Sequence, residues 1–302
     1  MSIKSGYVSI VGKPNVGKST LMNTLLGQKL SITTKKPQTT RKKILGILST
    51  DDYQVIFLDT PGILNPDYLL QQRMLEYVYS SAKDSDIILL MIDVSKEKSA
   101  STSLQDERVA KILSYKKSKK ILVLNKIDLT TQTVVDKLIS EFGAKKVFDK
   151  IIPVSATLRS NTQSVIDAII EFLPVHPKYF PDDQLSDDNE RFFVSEIIRE
   201  KIFEQYYEEV PFSTEVLIEE FKEREQNKDY IRAAIVVERE SQKPIIIGAK
   251  GASIKKLGQT SRKAVEEFLQ HEVFLELLVK VREKWRTNPN MLKNFGYIKS
   301  DE

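Results

Sequence analysis

No cysteine occurs in the 302 residues, which excludes disulfides, thiolate-bound zinc, iron–sulfur clusters and a cysteine nucleophile. There are only two histidines, His176 and His271, far apart in the chain, so neither an imidazole metal cluster nor an obvious general base is offered. Long apolar runs are missing too. Stretches such as IILLMI (87–92) fall well short of the roughly 20 residues a membrane-crossing helix needs, and the first ten residues enter a strand pattern without a signal-peptide core. A cytoplasmic location is the expectation.

With 41% hydrophobic and 29% charged residues, the composition is that of a globular chain, and its length suggests two domains. The net charge of +4 is unevenly placed: residues 1–174 carry +8, residues 175–229 carry −9 and residues 230–302 carry +5. Three charge regimes suggest three functional stretches, although each block alone reads equally as a solvated face.

Residues 1–173 alternate apolar runs with helical patterns. YVSIV (7–11), YQVIFL (53–58), DIILLMIDV (86–94), KILVLNK (120–126) and IIPVSA (151–156) read as strands, most of them separated by amphipathic segments. Such runs predict a mostly parallel α/β sheet covered on both faces, with ILGILST (44–50) as an antiparallel edge. Residues 174–190, proline-rich and acidic, read as a linker. Residues 191–302 predict a small α+β domain: a helix with Phe193, Ile197, Phe203 and Tyr207 near one face, two hairpin strands, two helices around a glycine turn, and a last strand.

GKPNVGKST (12–20) fits the phosphate-loop pattern between a strand and a helix, a match that chance supplies roughly once in a hundred such chains. Gly12 and Gly17 let backbone N–H groups of Asn15, Val16 and Thr20 turn toward phosphate oxygens, Lys18 bridges the terminal phosphates, and Ser19 can ligate magnesium. NKID (125–128) selects the base. The Asp128 carboxylate can accept both the ring N–H and the exocyclic amino group of guanine, a paired donor edge adenine lacks. Asn125 and Lys126 brace that loop, and Ser155 and Ala156 can offer N–H groups to the guanine carbonyl. DTPG (59–62) ends a strand in a carboxylate, yet the next residue is Ile63, whose side chain cannot polarise water.

GKPNVGKS, QTTR (38–41), DTPG, NKID and VSA (154–156) resemble the five guanine-nucleotide motifs of the translation-factor-related GTPases. That resemblance implies a magnesium-dependent GTPase cycling between GTP and GDP. Lys18, Thr40, Asp59 and Gly62 would be its catalytic set: Thr40 closes onto magnesium and the γ-phosphate, Asp59 reaches magnesium through water, and Gly62 senses the γ-phosphate. Gln38 stands where many relatives have glycine, a departure that bears on the backbone of this switch but not on the threonine hydroxyl. Related GTPases with an asparagine at the position of Asn15 use its side-chain oxygen to hold potassium beside the phosphates; a loop-stabilising role is the alternative for Asn15.

GAKG (248–251) is weak evidence alone. Its setting strengthens it: Gly248, Ala249 and Gly251 permit close approach of a phosphate backbone, Lys250, Lys255 and Lys256 bring charge, and Ile247 with its neighbouring isoleucines would floor a groove for unstacked bases. This resembles a type II KH domain. Trp285, Arg286, Phe295 and Tyr297 could stack bases or simply pack the domain.

The whole chain is similar to the Era family. The resemblance implies binding to 16S ribosomal RNA near its 3′ end, assistance to maturation of the small (30S) subunit, no DNA partner and a monomer. Two rivals stay open: a membrane-associated signalling GTPase touching anionic lipid through KKSKK (116–120), with a peripheral membrane fraction, and an RNA-binding module that uses GTP as a structural ligand. A tRNA-modifying GTPase would share Asn15, but those relatives carry a reactive cysteine.

Overall fold

Strands buried on both faces need apolar residues at successive positions, and the first half of the chain supplies them four times. In the computed structural model, which describes all residues except 1, 35, 98, 225–226 and 299–302, these become β1 (Lys4–Gly12), β3 (Tyr53–Asp59), β4 (Ile87–Asp93) and β5 (Lys119–Asn125), joined by β2 (Ile44–Ser49) and β6 (Lys150–Val154). The sheet order is β2-β3-β1-β4-β5-β6. Only β2 runs antiparallel, against β3, as the sequence predicts.

The helices are α1 (Lys18–Leu26), α2 (Leu69–Asp84), α3 (Ala100–Leu104), α4 (Glu107–Leu113), α5 (Gln132–Ala144) and α6 (Gln163–Phe172). Val78 and Ala82 of α2, Val109 and Ile112 of α4, and Leu138 and Phe142 of α5 share one core with Val11, Leu90 and Leu122 of the sheet. On the remaining sheet surface α1 packs against β1–β3 and α6 against β5 and β6. Gly12, Asp59, Asp93 and Asn125 are the last residues of four adjacent strands, so the carboxyl edge of the sheet gathers them, where ligands of open α/β sheets bind.

Two compact units emerge: Met1–Pro66 with Met74–Asp187, and Asp67–Arg73 with Asp188–Glu302. The segment read as a linker is anchored along the first unit. Ser5 N–H donates to the Pro174 carbonyl (3.1 Å), Ile47 N–H to the Leu185 carbonyl (2.8 Å) and the Ser186 hydroxyl to the Leu45 carbonyl (2.6 Å). Buried Gln54 accepts from the N–H groups of Tyr179 and Phe180 and donates to the Phe180 carbonyl. Leu185 and Ser186 thus bond the open edge of β2, which would otherwise expose unpaired ladder groups, while residues 174–180 bond β1 and β3.

The second unit contains α7 (Glu190–Gln205), β7 (Glu215–Lys222), β8 (Asp229–Val237), α8 (Lys243–Ile247), α9 (Ala252–Leu269), β9 (Val273–Val281) and α10 (Pro289–Asn294). The sheet order is β7-β8-β9, with β7/β8 antiparallel and β8/β9 parallel. Asn189 caps α7 by accepting from the Phe192 N–H. Val194, Ile198 and Ile202 of α7 meet Ile231, Ile235, Leu257 and Val265 in the core. Tyr207 departs from the expected helical face: the helix ends at Gln205 and Tyr207 is 71% exposed. Among the described residues, no helix is long and apolar enough to cross a membrane.

Candidate functional site

The loop after β1 turns through Asn15 (φ 62°) and Gly17 (φ 103°) before α1 begins at Lys18. Any side chain at Gly17 would collide with Asn125, since a Cβ there would lie 2.3 Å from Asn125 Nδ2. Glycine is needed here for both the left-handed backbone and the close approach. The Lys18 side chain folds back into this loop, its ammonium donating to the carbonyls of Gly12 (3.3 Å) and Lys13 (3.2 Å). Burial pulls its pKa down to about 8, against the opposing pull of the Asp59 charge. A buried ammonium held by carbonyl oxygens is suited to an anionic ligand.

Three oxygens converge beside it. The Ser19 hydroxyl donates to Asp59 Oδ2 at 2.6 Å and lies 3.0 Å from the Thr40 hydroxyl, which itself lies 3.4 Å from Asp59 Oδ2. Asp59 is fully buried, and burial raises its pKa even though Lys18 and Ser19 oppose the shift. Its other oxygen, Oδ1, has no partner among the described residues. Two hydroxyls and one buried carboxylate form a hard oxygen donor set, which fits Mg²⁺. The cavity here is lined by Asn15, Lys18, Ser19, Thr20, Gln38, Thr40 and Gly62, among others. The structure thus brings these sequence-predicted residues together; Lys35 lies outside the described residues.

Asn125 ties the base loop to the phosphate loop. Its amide donates to the Val16 carbonyl (2.7 Å) and accepts from the Ala156 N–H (3.0 Å). That N–H, expected from the sequence to face guanine, is here engaged in fixing the loop, and Ser155 likewise holds it by accepting from the Leu158 N–H. Asp128 follows in an exposed turn, its carboxylate open to a base edge. Sequence reasoning missed Asp93, which ion-pairs with Lys126 at 2.6 Å while Ser95 donates to its second oxygen. Its signal was the one that marked Asp59: an acid as the last residue of an apolar strand.

Ile63 answers the question of the missing polar residue after DTPG. Its N–H donates to the Gly12 carbonyl (2.9 Å) and its side chain is 3% exposed, packed in the core with Val11 and Val94. It belongs to the scaffold.

In the second unit α8 ends at Ile247 and the backbone becomes left-handed at Gly248 (φ 73°), Lys250 (φ 49°) and Gly251 (φ 78°). Ala249, Lys250, Lys255 and Lys256 are exposed on this turn and the first turn of α9. The isoleucine run divides: Ile246 is fully buried in the core, whereas Ile245 is 50% exposed and Ile247 half-buried, so Ile246 cannot floor a groove. Trp285, Phe295 and Tyr297 are buried as well. Trp285 donates to the Ser213 carbonyl (2.9 Å) and Tyr297 to Glu215 (2.6 Å), so of the two readings left open for them it is packing that the structure supports.

Comparison with known proteins agrees with both halves. Residues 7–126 match a family described as 50S ribosome-binding GTPase, and residues 209–286 match the KH domain. GTPase Era of Geotalea uraniireducens is 45% identical over 294 residues, 97% of this chain and 98% of that one. GTPase Era of Clostridium perfringens is 42% identical over 98% of this chain and 99% of its own. Among solved structures, Era in complex with MgGDPNP and nucleotides 1506–1542 of 16S ribosomal RNA superposes with a TM-score of 0.92 at 39% identity, covering 98% of this chain and all of that one. A variant of Aquifex aeolicus Era bound to GDP and AlF4⁻ gives 0.90 at the same identity and coverage. With that degree of identity running from one end to the other, through both the phosphate-loop unit and the KH unit, the chain belongs to the Era family of GTPases.

Proposed function

We propose that the protein is a GTP-hydrolysing switch that binds 16S ribosomal RNA near its 3′ end through the GAKG turn and assists maturation of the small ribosomal subunit in the cytoplasm. The observation that carries the enzymatic half is the meeting of Ser19 and Thr40 on buried Asp59 beside Lys18. Thr40 lies on the loop before β2 and Gly62 on the loop after β3, so both switch loops border the phosphate pocket. Ser19, Thr40 and Asp59 would hold Mg²⁺, which neutralises phosphate charge when bound. Lys18 contributes its ammonium to the terminal phosphates, Asn125 and Lys126 keep the base loop against the phosphate loop, and Asp128 reads guanine. Closure of Thr40 and Gly62 on the γ-phosphate orders the switch loops, and hydrolysis releases them.

The RNA half rests on the exposed lysines of the left-handed turn and on the RNA present in the related complex. Lys119 and Lys120 of the basic stretch lie in β5, where Lys119 pairs with Asp149 at 3.0 Å; this leaves the lipid-binding reading with less charge to use. For Asn15, exposed at the rim of the pocket, the proposed role is to offer its side-chain oxygen to potassium, which supplies positive charge where an arginine finger otherwise would.

The test is GTP turnover in potassium buffer with oligonucleotides of the 16S 3′ end, with a scrambled sequence as control. Stimulation by the specific sequence alone supports one cycle joining both units. Equal turnover with every RNA, and no specific binding, would overturn the ribosomal reading. Equal single-turnover rates in potassium and sodium would remove the role given to Asn15.

A further inference from the structure

Hydrolysis of GTP requires a water held in line with the γ-phosphate, and in many GTPases a glutamine after the DxxG motif orients it. Here that position is Ile63, whose side chain lies in the core. Ile63 therefore does not position the water, and the other residues of the pocket wall are the candidates this chain offers.

Gln38 meets the requirement. It lines the phosphate cavity together with Lys18, Ser19, Thr40 and Gly62. It is two residues before Thr40, on the loop that closes over the γ-phosphate in the proposed cycle. Its backbone sits at φ 58°, a region that disfavours side chains and that glycine occupies freely. A long polar residue at such a position, on the wall of a reaction site, points to a use for the side chain itself. Asn15 is the other carboxamide on the wall, but it belongs to the phosphate loop, whereas Gln38 belongs to the loop that closes.

We propose that Gln38 is a catalytic residue: with GTP bound, its carboxamide oxygen accepts a hydrogen bond from the attacking water and its amide N–H donates to a γ-phosphate oxygen, fixing the line of attack. The water oxygen forms the new bond to phosphorus as the bond to the β–γ bridging oxygen breaks. The water protons end on inorganic phosphate and bulk solvent, and the bridging electrons stay with GDP. The amide takes no proton, so no further reactant is needed.

The positive φ makes the test decisive. In Q38G the backbone is relieved and only the side chain is lost; in Q38A both the side chain is lost and the strain remains. Single-turnover hydrolysis at saturating MgGTP in potassium buffer is expected to fall on the order of a hundredfold in both variants, with GDP affinity within about twofold of the parent. Binding of GDP with aluminium fluoride, which resembles the transition state, is expected to weaken in parallel. Q38G matching or exceeding the parent rate would overturn the proposal, and so would a loss in Q38A that Q38G restores, because each would mean that only the backbone conformation matters. A fall in GDP affinity equal to the fall in rate would also overturn it, by making Gln38 a binding or folding residue.

Discussion

The Lys126 ammonium lies 2.6 Å from Asp93 Oδ2 and 2.7 Å from the Asn15 carbonyl, so one buried acid at the end of β4 clamps the base-loop lysine onto the phosphate loop. Removing the acid leaves Lys126 without its charge partner, and D93A is expected to weaken GDP binding about tenfold or more, with D93N intermediate because it keeps a hydrogen bond. Titration with a fluorescent GDP analogue measures this. The pair also has a pH signature. Burial pushes the Asp93 carboxyl up, but hydrogen bonds from Lys126 and Ser95 outweigh it and hold it below its ordinary value. Its stabilising contribution is therefore complete above the unfolded value of about 3.9 and is lost as pH falls through the lower folded value. The acid limb of the unfolding curve should be shallower in D93A than in the parent.

Lys18 gives the opposite sign. Its pKa falls from 10.5 unfolded to about 8 in the fold, because burial disfavours the charged form. The penalty is complete below about pH 8 and disappears as pH rises through 10.5, so stability rises over that window. K18M removes the penalty at neutral pH. The expected result is a variant that melts no lower than the parent without nucleotide, yet gains no thermal stability from MgGDP. Melting curves at pH 7 and pH 9 check both statements, and the nucleotide-free difference between the two proteins should narrow at the higher pH.

The parallel sheet was legible because strands buried on both faces must be apolar almost throughout, and the nucleotide motifs were legible because each falls at a strand end. Other features carried no such signature. Asp93 ends an apolar strand as Asp59 does, but no motif surrounds it, and its role shows only once β4 and β5 place it opposite Asn125. Ile245, Ile246 and Ile247 are equivalent in sequence, but a one-turn helix sends them in different directions, and only Ile246 enters the core. The stretch 174–186 has the composition of a linker because it makes its bonds through backbone groups and through Gln54, which lies far away in the chain.

Gly62 is constrained by space. A Cβ at this position would lie 2.8 Å from three atoms of Pro14, backbone and ring, closer than any real contact. G62A must push the loop after β3 away from the phosphate loop. Hydrolysis and any preference for GTP analogue over GDP should be lost, while GDP affinity, which depends chiefly on Lys18 and the base loop, stays within a few fold. Paired affinity measurements with GDP and a non-hydrolysable GTP analogue make the comparison.

Gly251 differs from Gly62 in having room: a Cβ at this position would meet no atom within 4 Å, although its φ of 78° disfavours one. G251D should therefore fold, at a cost of about 1 kcal/mol from the left-handed backbone, and place a negative charge where the lysine-rich turn meets phosphate. Specific RNA binding should be abolished and intrinsic GTP hydrolysis preserved. Electrophoretic mobility of a 16S 3′-end oligonucleotide, set beside turnover without RNA, separates the two effects; retained RNA binding would count against the GAKG turn as the contact.

Trp285 offers a readout of the second unit, because it is the chain's only tryptophan and is fully buried, with its indole N–H on the Ser213 carbonyl and its ring 5.4 Å from Phe295 in an edge-to-face contact. A ring so enclosed cannot stack on a base. Its emission should be blue-shifted and resistant to acrylamide, and saturating RNA should change it little. W285A is expected to lose about 3–5 kcal/mol of stability, through the cavity and the unpaired Ser213 carbonyl, and RNA affinity only as far as the unit unfolds. Strong quenching by RNA in the parent protein, or loss of RNA binding in a W285F variant that melts like the parent, would instead place this residue in the RNA interface.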